Sequence, residues 1–89
     1  MTETTVEIVN RAGLHARPAS ELVKTAGRFR ADVRLMKDGL EVNGKSIMGV
    51  LMLAAEYGSE LTIRAEGEDS EAAVAALAAL VRSGFEESH

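Results

Sequence analysis

The chain opens with an alternation. From Thr4 to Val9, Val6 and Ile8 fall on one side between polar neighbours, a period of two that predicts a strand buried on one face, and the segment Asn10 to Leu14 breaks the pattern at Gly13. From Ala16 the period lengthens. Ala16, Ala19, Leu22, Val23 and Ala26 recur at three- and four-residue spacing, which is one face of a helix, and Gly27 is the expected stop. Val33 and Leu35 alternate again, as do Leu40 and Val42, on either side of Asp38-Gly39, a dipeptide that tolerates the positive φ of a two-residue hairpin turn. Asn43-Gly44-Lys45 reads as a loop, Ser46 as a cap and Ile47 to Ala55 as a short helix; Gly58 closes that region. Leu61, Ile63 and Ala65 predict a fourth strand ended by Gly67. Asp69 or Ser70 can cap a last helix with a buried stripe of Val74, Leu77, Leu80 and Val81, Arg82 in its final turn and Gly84 as its stop, leaving Glu86 to His89 as a frayed tail.

The order βαββαβα, with no internal repeat or linker, predicts an α+β fold: a two-layer open-faced sandwich in which a four-stranded antiparallel sheet carries three helices on one face. Eighty-nine residues make a single domain spanning 1–89, because a second core would leave each part too small to offset its chain entropy. Apolar residues are 46% of the chain, yet there is no Trp, one Tyr and two Phe, so the expected core is small and aliphatic, built from Val, Leu, Ile, Met and Ala. The absence of cysteine excludes disulfides and thiolate metal sites and fits a reducing compartment. With no apolar run of membrane-spanning length, and no basic stretch and apolar core of a signal peptide after Met1, the expected location is cytoplasmic.

Net charge of −4 argues against general nucleic-acid binding, and the strands lack the aromatic residues on which RNA bases stack. The charge is uneven, however. Residues 10 to 49 carry eight of the ten Lys and Arg and four of the fourteen acids, a basic stretch suited to phosphate or to an acidic protein surface, although scattered solvated side chains would give the same count.

The chemistry centres on Gly13-Leu14-His15-Ala16-Arg17-Pro18-Ala19. If the helix begins at Ala16, His15 is its cap and Pro18 its third residue, where a missing N–H costs nothing because first-turn N–H groups have no intrahelical partner. Those N–H groups and the positive end of the helix dipole make an anion site beside an imidazole, and Arg17 adds a planar, permanently charged donor for phosphate oxygens. A nitrogen nucleophile there would form a labile phosphoramidate, suited to handing a phosphoryl group on. From residue types alone, a plain capping or surface histidine near an arginine is the commoner reading.

Two rivals bear on the same segments. Gly39-Leu40-Glu41-Val42-Asn43-Gly44-Lys45-Ser46 matches the phosphate-binding loop G-x-x-x-x-G-K-[ST], but Leu40-Glu41-Val42 alternates as a strand where that motif needs loop, and no later strand supplies the acid that helps hold Mg²⁺. A metal site is not expected, since His15 and His89 are the two histidines and His89 lies at the tail.

The string Asn10-x-x-Gly13-Leu14-His15-Ala16-Arg17-Pro18-Ala19 resembles the active-site signature of HPr, the histidine-containing phosphocarrier family of the bacterial phosphoenolpyruvate-dependent sugar phosphotransferase system. Asn43-Gly44-Lys45-Ser46-Ile47-Met48-Gly49-Val50 is similar to that family's regulatory serine motif, at the family's spacing. The resemblance implies that His15 accepts phosphate on Nδ1 from phosphorylated enzyme I and passes it to sugar-specific IIA domains, with Arg17 and the N–H groups of Ala16 and Arg17 holding the phosphate. It implies no cofactor and no metal, a monomer without membrane insertion, and no turnover without partners. An HPr kinase/phosphorylase would modify Ser46 and a sugar-responsive transcription regulator would read it. The alternative is a binding or regulatory module of the same fold that leaves His15 unmodified.

Every residue of Ile47-Met48-Gly49-Val50-Leu51-Met52-Leu53-Ala54-Ala55 except Gly49 is apolar, and a helix on a sheet buries one side, so apolar surface is expected to face outward unless the helix is wholly buried. The resemblance implies a docking patch of Ile47, Met48 and Leu51, rimmed by Arg17, Lys24 and Arg28. Ser46 reads as an ordinary N-cap or as a site where an added phosphate meets helix N–H groups and adds negative charge beside that patch.

Overall fold

The structure is a computed structural model that describes residues 1–86. Strands β1 (Thr2–Glu7), β2 (Asp32–Lys37), β3 (Leu40–Asn43) and β4 (Glu60–Glu66) form one antiparallel sheet in the order β1-β4-β2-β3. Helices α1 (Ala16–Ala26), α2 (Ile47–Met52) and α3 (Ser70–Arg82) complete the predicted βαββαβα order, and a single 3₁₀ turn, Gly84–Glu86, follows.

Period-two patterning sets the register. Leu35 lies opposite Ile63 and Val42, Val33 opposite Ala65, and Val6 opposite Leu61, so one sheet face is a largely apolar layer, with Thr2 and Thr4 of β1 at its edge. Leu22 of α1, Val50 of α2 and Ala73, Leu77 and Val81 of α3 pack onto it, all fully buried. The other face is polar, and its cations are matched by acids. Arg34 and Arg64 stand directly opposite each other, an arrangement that repels unless compensated. Compensation comes from Asp32, 3.1 Å from Arg34, and Glu3, 3.0 Å from Arg64.

Several boundaries differ from the sequence expectation. The first strand ends at Glu7, not Val9: Ile8 still bonds across to Ser59 and Gly58, but Asn10 turns inward and leaves Val9 exposed. Ala16 is exposed and Val23 half-buried, whereas Pro18 joins the buried face of α1. Gly27 follows α1 in a right-handed conformation, so glycine's access to positive φ is not what ends that helix. Helix α2 stops at Met52, since Ala54 takes φ 49° and turns Ala55 back toward the loop before α1. Leu80 is half-buried; Ala73 and Ala78 complete the stripe of α3. Asp69 precedes α3 without capping it through its side chain, and Ser70 spends its hydroxyl on Thr2, 3.0 Å away.

The core is not purely aliphatic either. Phe85 is buried, and Met48 and Met52 lie outside. Gly84 does stop α3, with φ 68°, but Glu86 belongs to the 3₁₀ turn and not to a tail; residues 87–89 of the expected frayed end lie outside the described residues. Among the described residues no helix is long and apolar enough to cross a membrane.

Candidate functional site

Hydrogen bonds among the described residues hold the loop between β1 and α1. Gly13 N–H donates to the Asn10 carbonyl at 3.1 Å, the buried Asn10 amide donates back to the Gly13 carbonyl at 2.8 Å, and Leu14 N–H donates to the Ala55 carbonyl at 2.9 Å. Gly13 has φ 69°, and a Cβ on it would collide with the Ala55 carbonyl oxygen, so two independent constraints require glycine there. Buried Leu14 then anchors the chain immediately before His15.

His15 is the N-cap of α1, with extended φ −78° and ψ −172°, and its carbonyl accepts the first helical bond from Ala19 at 3.0 Å. Its side chain makes no cap hydrogen bond, and the residue is exposed. Pro18 is the third helical residue and buried, as its place in the first turn allows. Ala16 and Arg17, both exposed, supply first-turn N–H groups at the positive end of α1. His15 lines an open cleft with Arg11, Ala12 and Leu14 on one side and Ala54, Ala55, Glu56 and Tyr57 on the other. Arg17 is in the adjacent turn of α1 but does not line this cleft. The sequence reading passed over Arg11, Glu56 and Tyr57, whose part here depends on the fold bringing residues 54–57 against residues 11–15.

Ser46 is the N-cap of α2, where its Oγ accepts the Gly49 N–H at 3.1 Å. The preceding loop is pinned by Gly44 N–H to the Val33 carbonyl (2.8 Å) and by the Lys45 ammonium to the Phe29 carbonyl (2.7 Å). Leu40 to Asn43 forms β3, so the segment that matches a phosphate-binding loop is a strand and a tight turn.

Helix α2 turns Val50 inward and much of the rest outward. Met48 is 67% exposed and Met52 66%, Ile47 39% and Leu51 36%, and Tyr57 at 63% lies beyond the helix at the cleft. The expected patch of Ile47, Met48 and Leu51 is thus an exposed surface, to which the structure adds Met52. Lys24 and Arg28 line a different groove, between α1 and α3, with Glu21, Leu80 and Ser83. They do not share the cleft of His15.

Comparison with known proteins assigns the chain. Residues 2–83 match the family model described as the PTS HPr component phosphorylation site. Phosphocarrier protein HPr of Treponema pallidum is 48% identical over 87 residues, 98% of this chain and 99% of its own. The crystal structure of HPr-C-His from Thermoanaerobacter tengcongensis superposes with a TM-score of 0.96 at 45% identity, covering 100% of both chains. A crystal structure described as an HPr dimer from the same organism matches at a TM-score of 0.79 and 46% identity over 98% of this chain and 100% of that one, so a monomeric state does not hold for every relative. The chain therefore belongs to the HPr family, the phosphocarrier proteins of the phosphotransferase system.

Proposed function

We propose that His15 carries the phosphoryl group, accepting it from phosphorylated enzyme I, and ultimately from phosphoenolpyruvate, and passing it to sugar-specific IIA domains. The observation that carries this reading is the placement of an exposed imidazole at the N-cap of α1, on a loop pinned at Asn10, Gly13 and Leu14. In the transfer the lone pair of Nδ1 forms the new P–N bond as the donor's bond to phosphorus breaks, the imidazole proton sitting on Nε2. The Ala16 and Arg17 N–H groups and the Arg17 guanidinium hold the phosphoryl oxygens. With little covalent work left to the protein, positioning and charge do most of the catalysis.

The test is incubation with phosphoenolpyruvate and enzyme I, followed by intact mass before and after acid. One acid-labile phosphoryl group is expected on the wild type and none on His15→Ala. A wild type that gains nothing, from an enzyme I able to load another HPr, overturns the reading.

Ser46 is the regulatory site in this reading, with an HPr kinase/phosphorylase as modifier and a sugar-responsive transcription regulator as reader. Its support is the cap itself: a phosphate on Oγ stays beside the first N–H groups of α2 and adds negative charge next to exposed Ile47 and Met48. That charge repels an acidic partner without unfolding the helix. An acid-stable phosphate at Ser46 that leaves the rate of His15 phosphorylation unchanged counts against regulation.

A further inference from the structure

Arg11 has no part in the reading above, yet the loop presents it to the same cleft as His15. The Gly13 N–H bond to the Asn10 carbonyl closes a turn whose two central residues are Arg11 and Ala12, both exposed and both lining the cleft. The return bond from the Asn10 amide and the Leu14 bond to Ala55 fix that turn against the core. The Arg11 guanidinium is therefore carried on a short, rigid base and not on a loose loop.

Its charge is also uncommitted. The cations of the sheet are engaged: Arg34 by Asp32, Lys37 by Asp38, Arg64 by Glu3. No hydrogen bond or ion pair among the described residues engages the Arg11 guanidinium. The other ionisable groups of the cleft are the Glu56 carboxylate and the Tyr57 phenol, while Arg17 lies in the first turn of α1, outside the cleft lining. An exposed cation left unneutralised beside an acceptor of a doubly charged group lowers the energy of the charged product.

We propose that Arg11 is a second phosphoryl-binding residue, which holds the oxygens of the group on His15 from the loop side while Arg17 and the helix N–H groups hold them from the helix side. The proposal rests on His15 as the phosphoryl acceptor. Glu56 acts in the opposite sense, its carboxylate raising the energy of the loaded state, so that the balance of Arg11 and Glu56 tunes how readily the group is handed on.

The test installs the group without any relay partner. Phosphoramidate loads the imidazole chemically: its own P–N bond breaks, a P–N bond to His15 forms, and ammonia leaves with the displaced ring proton. The pH midpoint of the phosphohistidine ³¹P resonance then reads the local field, because a nearby cation lowers the midpoint whether the ring or the phosphoryl group is titrating. Arg11→Ala should raise it by about half a pH unit, the effect of one unit charge roughly 6 Å away in a water-like medium. Arg11→Lys should stay near wild type, Glu56→Gln should lower the midpoint, and Arg34→Ala, on the far face of the sheet, should leave it unchanged. High salt should shrink the Arg11 difference. Thermal melting checks that each variant folds.

With enzyme I, the loading equilibrium of Arg11→Ala should favour the free form more than wild type does, by about threefold for each unit of negative charge on the bound group. A midpoint for Arg11→Ala equal to wild type, while Glu56→Gln moves it, overturns the proposal. An Arg11 effect on chemically loaded protein that enzyme I cannot load leaves this inference standing and removes the relay reading. A His15 that phosphoramidate cannot modify overturns both.

Discussion

Leu14 donates its backbone N–H to the Ala55 carbonyl at 2.9 Å, and this bond ties the loop that carries His15 to the segment leaving α2, the helix that Ser46 caps. The two motifs of the sequence, 31 positions apart, thus stand on segments joined by a main-chain contact.

Gly13→Ala tests that tie. The substitution forces an L side chain into φ 69° and drives its Cβ into the Ala55 carbonyl, whereas Gly39, at φ 83°, has nothing within 4 Å of the same position. Gly13→Ala should lower stability by about 2–3 kcal/mol and Tm by roughly 10–20 °C, against about 1 kcal/mol for Gly39→Ala. Equal losses in thermal unfolding of the two variants would reduce the Gly13 constraint to backbone conformation alone.

Asp69 provides an acid-sensitive clamp. Its carboxylate accepts the Arg30 and Ala31 N–H groups, each at 2.8 Å, and the Arg30 bond leads in holding its pKa below the ordinary value of about 3.8. A depressed folded-state pKa means that the stabilisation is fully present above the unfolded value and is lost as pH falls through the lower folded value. Urea unfolding of wild type and Asp69→Asn should therefore differ at neutral pH and converge in acid below about pH 4. A gap that stays constant down to pH 2 would show that the carboxylate charge is not what the clamp uses.

Ser46→Ala removes the acceptor for the Gly49 N–H and should cost about 0.5–2 kcal/mol in chemical unfolding. Ser46→Asp keeps a capping oxygen and should unfold within about 0.5 kcal/mol of wild type while loading from enzyme I more slowly. A Ser46→Asp protein that loads at the wild-type rate separates the cap from any regulation.

Met48 is outside the core, so Met48→Asp should leave Tm within a few degrees of wild type. If α2 is the docking face, the same variant should raise the KM for transfer from enzyme I about tenfold with a smaller change in kcat, the pattern of lost binding. Unchanged KM would move the docking face elsewhere, and Met52→Asp and Tyr57→Ala would then map it.

Much of the fold was legible in the sequence because its causes are local. Alternation at Val33, Leu35, Leu61 and Ile63, the helical spacing of Ala19, Leu22 and Ala26, the Asp38-Gly39 turn and the Ser46 cap each depend on a few neighbouring residues. Boundaries were less legible where a distant partner decides them. Ile47 to Ala55 has one composition throughout, yet the helix ends at Met52 because the chain turns at Ala54 to place the Ala55 carbonyl against Leu14. Asp69 has the residue type of a helix cap and is used instead across the fold, on Arg30 and Ala31.

The sequence by itself determined which residues sit at the start of α1, because a helix start is a local event: His15 at the cap, Pro18 harmless in the first turn, Arg17 beside them. Only the tertiary structure decided what faces His15. It brought Ala54 to Tyr57 against the turn of Arg11 and Ala12, and it separated Lys24 and Arg28 into another groove. Periodicity specifies which way a side chain points along its own element, whereas a cleft between two loops depends on the register of β1 on β4 and the point at which α2 stops, and no residue within either loop encodes both.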